Sequence, residues 1–143
     1  LIRIVGLGSP FGDDRAGWRV IERLRGQLPD AIDLVSLDRP GAALVQWMEG
    51  VDELVIVDAL RGSRPPGTVE ALDPAAVGAA DGPAWSSHSL DLCDTFALAA
   101  RLGMAPRLLS VYAIYIKELD KETKAVSEGC RQLAAALQAR LGD

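Results

Sequence analysis

Ile2-Arg3-Ile4-Val5-Gly6-Leu7-Gly8 opens the chain, and this run together with the loop behind it decides the fold. Residues 1–7 are a short apolar run that predicts a buried strand. Gly6, Gly8, Pro10 and Gly12 then mark a tight loop. Asp13-Asp14 come next, at the start of a helix whose Gly17, Val20, Ile21, Leu24 and Leu28 share one face, with Pro29-Asp30 as its stop. Either acid can cap that helix, because a carboxylate there satisfies free N–H groups and complements the dipole. One acid is explained more easily this way than two. The second can project over the edge of the sheet.

The same alternation continues outward. Ile32 to Leu37 predicts a second strand ending in Asp38, and Arg39-Pro40-Gly41 turns into a short helix with Leu44, Val45, Trp47 and Met48. Glu53 to Val57 is a third strand, continuous in Leu, Val and Ile as in strands covered on both faces, and Asp58 ends it. After the Gly/Pro loop Arg61 to Gly67, Thr68 to Leu72 predicts a short strand near an edge. Residues 73–87 read as a loop, then Ser87 to Leu102 as a helix bearing Leu92, Phe96 and Ala99 and also Cys93, Ala97 and Ala100. Leu108 to Tyr115 is a strand. Val126, Cys130, Leu133, Leu137 and Leu141 form the stripe of a last helix. Strand alternating with helix argues for an α/β sandwich around a mostly parallel sheet, as a single domain over 1–143.

Composition narrows the function. The chain has 143 residues and is 49% hydrophobic, enough for a real core without a partner, so a monomer is expected. The net charge of −5 argues against nucleic acid, whose phosphates need clustered Lys and Arg. No apolar run approaches the roughly 20 residues that span a bilayer, and no signal peptide is legible. Cys93 and Cys130 form no CxxC and no disulfide framework, which fits a reducing cytoplasm. Cys93, on an apolar helix face, reads as core and not as nucleophile.

The one histidine carries the chemistry. His88 lies in Trp85-Ser86-Ser87-His88-Ser89-Leu90, a polar turn opening a helix. A helix N-terminus disfavours the imidazolium and keeps the ring in its neutral, metal-binding form. Parallel strands deliver their C-terminal ends and the following helix starts to one edge, where ligands bind. Asp13-Asp14, Asp58 and His88 all fall at such positions. Two carboxylates and an imidazole meeting there make a three-ligand site for a borderline divalent metal. Each also has an ordinary reading, as a cap, a turn acid or a solvated ring.

Other motifs are weaker. Gly6 to Gly12 fails the dinucleotide pattern GxGxxG because Phe11 stands at the third glycine, although Asp38 is placed like a ribose-binding acid. There is no GK[ST], which excludes a Walker A loop, and no GxSxG, so Ser9, Asp58 and His88 make a poor hydrolase triad. Arg61 and Arg64 read as solvated charge, or as contacts for a partner's carboxylate.

With these residues assembled, the chain resembles the hydrogenase maturation proteases over nearly its whole length. Gly6-x-Gly8 followed by Asp13-Asp14-x-x-Gly17, then Val57-Asp58-Ala59, then Ser87-His88-Ser89-Leu90 agree in order and spacing with that family. Ser9 replaces the asparagine usual after Gly-x-Gly, and Ala113-Ile114-Tyr115 replaces a common Gly-Ile segment. The resemblance implies a three-layer α/β/α sandwich around a five-stranded, mostly parallel sheet. It implies an endopeptidase that trims the C-terminus of a [NiFe]-hydrogenase large-subunit precursor after nickel insertion. Asp14, Asp58 and His88 would be its catalytic, nickel-contacting residues, Asp38 a residue behind them. Nickel would arrive in the substrate, with no permanent metal in the enzyme. The competing expectation is a non-catalytic Rossmann-like domain binding a nucleotide or a metal.

Overall fold

The structure, a computed structural model, describes residues 1–74, 92–117 and 121–142. Five strands make one sheet: β1 (Ile2–Gly8), β2 (Ile32–Asp38), β3 (Glu53–Arg61), β4 (Val69–Leu72) and β5 (Leu108–Ile116). Their order is β2-β1-β3-β5-β4, with only β4 antiparallel, against β5. The helices are α1 (Ala16–Leu24), α2 (Leu92–Arg101) and α3 (Lys124–Leu141), with 3-10 segments at Gly12–Arg15 and Gly41–Trp47. The expected edge strand at Thr68 to Leu72 is β4.

Alternation along β3 builds two cores. Leu54, Ile56 and Leu60 pack on one face with Leu92 and Ala99 of α2 and with Leu44 and Val45. Val55, Val57 and Ala59 pack on the other with Val20, Ile21 and Leu24 of α1 and Val126, Leu133 and Leu137 of α3. The result is the three-layer α/β/α sandwich. Each Leu or Ile so buried contributes about 1.5–3 kcal/mol of transfer free energy.

Two glycines let α1 lie directly on the sheet. A methyl group on Gly6 would stand 2.3 Å from the Gly17 carbonyl oxygen, and one on Gly17 would stand 2.2 Å from that of Leu7. Neither position has room for a Cβ. Cys130 closes the far side, its Sγ donating to the Ala16 carbonyl at 3.5 Å. Burial pushes its thiol up to about 11.

Several local expectations change. Helix α1 stops at Leu24, before Pro29, because Gly26 adopts the left-handed φ of 77° that ends helices. Leu28 still packs on the core from beyond the helix. Strand β3 runs to Arg61, so Asp58 lies inside it. Its last residues pair with β5 alone, through Asp58↔Ala113 to Arg61↔Ile116, after β1 has left at Gly6↔Val57. Cys93 is exposed and not core, since α2 buries the face of Leu92, Thr95 and Ala99.

Candidate active site

Asp14 sits in the 3-10 turn Gly12–Arg15, between the end of β1 and the start of α1. Glycine at 12 allows the left-handed φ of 48° from which the turn begins. The backbone of Asp14 is held on both sides: its N–H donates to the Phe11 carbonyl at 2.9 Å, and its carbonyl accepts from Ser9 N–H at 3.3 Å. The Ser9 hydroxyl donates to Asp14 Oδ2 in a short hydrogen bond. Both side chains are buried, Ser9 2% and Asp14 5% exposed. Ser9, replacing the expected asparagine, thus orients an acid and is no free nucleophile.

Asp58 is fully buried in β3. Its Oδ1 accepts the N–H of Ala59 at 2.7 Å. Alternation places it with Leu54, Ile56 and Leu60, on the face that α2 covers. The turn carrying Asp14 contacts β3, so both acids belong to the same C-terminal edge of the parallel strands. Removing a carboxylate from water is costly unless hydrogen bonds or a cation compensate it. Asp14 has the Ser9 hydroxyl as such a partner and Asp58 the Ala59 N–H.

His88 lies outside the described residues, as do Ser86, Ser87 and Ser89. Among the described residues no group of three or more His, Cys, Asp or Glu stands close enough to hold a metal ion. Asp13 makes different bonds from Asp14. Its carboxylate is 1% exposed and turns to Thr123, whose N–H and hydroxyl donate to Oδ1 and Oδ2 at 2.9 and 2.8 Å. Neither acid occupies an N-cap: that of their own turn is Phe11 and that of α1 is Arg15. Asp38, at the end of β2, is exposed and paired with Arg39 at 2.8 Å.

The arginines expected to meet a partner divide. Arg64 binds Glu70 at 3.0 Å, and Tyr115 Oη donates to the same Glu70 carboxylate at 2.6 Å. Burial, then Glu70, raises the Tyr115 phenol above its ordinary value. Arg61 is exposed at the end of β3. Sequence reasoning missed Thr123 and the Glu70–Tyr115 pair. The only signal for Thr123 was its place before an apolar stripe, where a hydroxyl caps a helix.

Known proteins match this frame. A family model described as hydrogenase maturation protease covers residues 18–141. The hydrogenase expression/formation protein HoxM of Azotobacter vinelandii is 32% identical, over 98% of this chain and 70% of its own length. The solved hydrogenase maturating endopeptidase HybD from E. coli superposes with a TM-score of 0.78 at 26% identity, covering 97% of this chain and 93% of that one. A [NiFe] hydrogenase maturation protease HycI from Thermococcus kodakarensis, 20% identical, shares the fold with a TM-score of 0.76 over 99% and 92% of the two chains. The fold and these matches define the class, an α/β endopeptidase. The chain belongs to the hydrogenase maturation protease family. The family match begins at residue 18, so it spans Asp58 but not the turn with Asp14, which the HoxM alignment reaches by its coverage.

Proposed function

We propose that this protein removes the C-terminal extension of a [NiFe]-hydrogenase large-subunit precursor after nickel has been inserted, with Asp14, Asp58 and His88 as the residues that meet the metal. The observation that carries this reading is the pair of buried carboxylates on one sheet edge, in a chain of this family. Their chemistry fits: hard oxygen donors with an imidazole suit a borderline divalent ion. Nickel belongs to the substrate, and as a Lewis acid it polarises a nearby carbonyl or water. Asp14, oriented by Ser9, and Asp58, fixed in β3, hold the precursor in register with its scissile bond. A carboxylate not engaged by the metal takes the proton from the attacking water. Dependence on a metal that only a mature precursor carries makes the enzyme a checkpoint. The same reading makes it a single domain over 1–143, acting as a monomer in the cytoplasm.

The nucleotide-binding alternative gains nothing from the described residues. Asp13 and Asp14 stand where a pyrophosphate would sit, and Asp38 is engaged by Arg39.

The test is mass spectrometry of a cognate large-subunit precursor, nickel-loaded or nickel-free, after incubation with the protein. Loss of a C-terminal peptide from the loaded form alone is expected. Cleavage of both forms removes the nickel-docking role. Cleavage of neither, with loading confirmed, removes the protease reading.

A further inference from the structure

Asp13 and Asp14 are neighbours in sequence, and both are buried, but their carboxylates bind different segments of the chain. Asp14 accepts from Ser9 on its own loop, whereas Asp13 reaches across 110 residues to Thr123. Thr123 is the N-cap of α3, its hydroxyl also accepting the Val126 N–H at 3.4 Å. One carboxylate thus receives a main-chain N–H and a hydroxyl at the positive end of an 18-residue helix, a favourable place for an anion. Glu122, the preceding residue, binds Arg15 at 3.3 Å and also Arg19. The turn carrying Asp14 is therefore fastened on both flanks to the two residues that lead into α3, by Asp13 to Thr123 and by Arg15 to Glu122.

A four-residue 3-10 turn has little stability of its own. Gly12 loosens it further, since glycine gives up the most backbone freedom on ordering. We infer that Asp13 is a positioning residue: through its double hydrogen bond to Thr123 it clamps the turn on α3 and so sets the direction of the Asp14 carboxylate, without itself meeting the metal. This rests on the reading of Asp14 as a nickel contact. A group misplaced by about 1 Å at a reacting centre costs up to about a hundredfold in rate, so the clamp matters to turnover and not only to folding.

The experiment compares wild type, Asp14→Ala, Thr123→Ser and Thr123→Val on a cognate large-subunit precursor. It reads kcat and KM on the nickel-loaded form, and the ratio of affinities for the nickel-loaded and nickel-free forms. Circular dichroism fixes the folded fraction. Thr123→Ser keeps the hydroxyl and should keep wild-type turnover and preference. Thr123→Val loses one of the two bonds to Asp13. It should lose about tenfold in kcat per folded molecule, with its preference for the nickel-loaded form falling towards that of Asp14→Ala. Binding of the nickel-free form should not change. A role in stability alone would lower the folded fraction and leave the affinity ratio where it was. Folded Thr123→Val with wild-type kcat and preference overturns the inference, as does Thr123→Ser behaving like Thr123→Val. Should Thr123→Val not fold, Thr123→Ala is the second variant, and failure of both makes Asp13 structural and overturns the positioning role. A wild-type protein that neither cleaves nor prefers the loaded precursor overturns the functional reading first and the inference with it. Discrimination by wild type, lost in Asp14→Ala but kept in folded Thr123→Val, overturns the inference alone.

Discussion

The loop after β1 and the loop after β3 leave the same edge of the sheet, both rich in glycine and proline, yet residues 61–66 are exposed throughout whereas Ser9, Asp13 and Asp14 are buried. The first loop is tied by Ser9 to Asp14 and by Asp13 to Thr123. The exposed residues of the second are held by surface contacts, such as Arg64 to Glu70 between side chains 56% and 31% exposed, before the Gly67 N–H anchors the end of the loop on the Tyr115 carbonyl at 2.8 Å. Glycine and proline say where a chain turns. Whether the turn is stiff depends on polar side chains that have left water and must find partners inside. A site residue needs the stiff kind, because a loosely held ligand loses its orientation at each fluctuation.

If the first loop is the stiff one, disturbing it acts most strongly on catalysis. Asp14→Ala should lower kcat/KM on nickel-loaded precursor by about 10²–10⁴-fold while the domain stays folded, and an Asp14→Asn variant cutting at the normal rate would remove its carboxylate role. Next comes Gly6→Ala, whose methyl meets the Gly17 carbonyl oxygen at 2.3 Å. Moving α1 off the sheet should cost about 1–3 kcal/mol in urea unfolding, and it would drag the stiff loop with it. Ser9→Ala should reduce kcat/KM by about tenfold, the worth of one hydrogen bond to a charged group, with a stability change too small to account for it. On the exposed loop, Arg64→Ala should alter unfolding free energy by no more than about 0.5 kcal/mol. A large loss there would mean that the second loop is as firmly built as the first.

Patterning made most of the framework legible. The unbroken Leu54 to Val57 run identified the central strand, and the stripe from Val126 to Leu141 identified α3, because both signals are local and repeat with the period of the element. The strand's true end was hidden. Asp58 to Arg61 stay in β3 through pairing with β5, some fifty residues downstream in sequence, and nothing in their own composition says so. Cys93 was read as core because its helix is apolar on more than one side, while the sheet covers only the face of Leu92, Thr95 and Ala99. Within the candidate site, the burial of Asp14 and Asp58 on one sheet edge was legible from their positions after apolar strands. Asp13 could only be described as one of two possible caps. Its partner lies 110 residues away, and no periodicity reports a bond of that kind.

That separation has a consequence for the order in which the molecule is made. Every strand of the sheet ends by Ile116, before Thr123 is reached. A nascent chain emerging from the ribosome can complete its sheet and still lack the clasp on its first loop. The turn that carries Asp14 is made well before its clasp, 110 residues upstream of Thr123, so it is fastened only once that threonine has been synthesised.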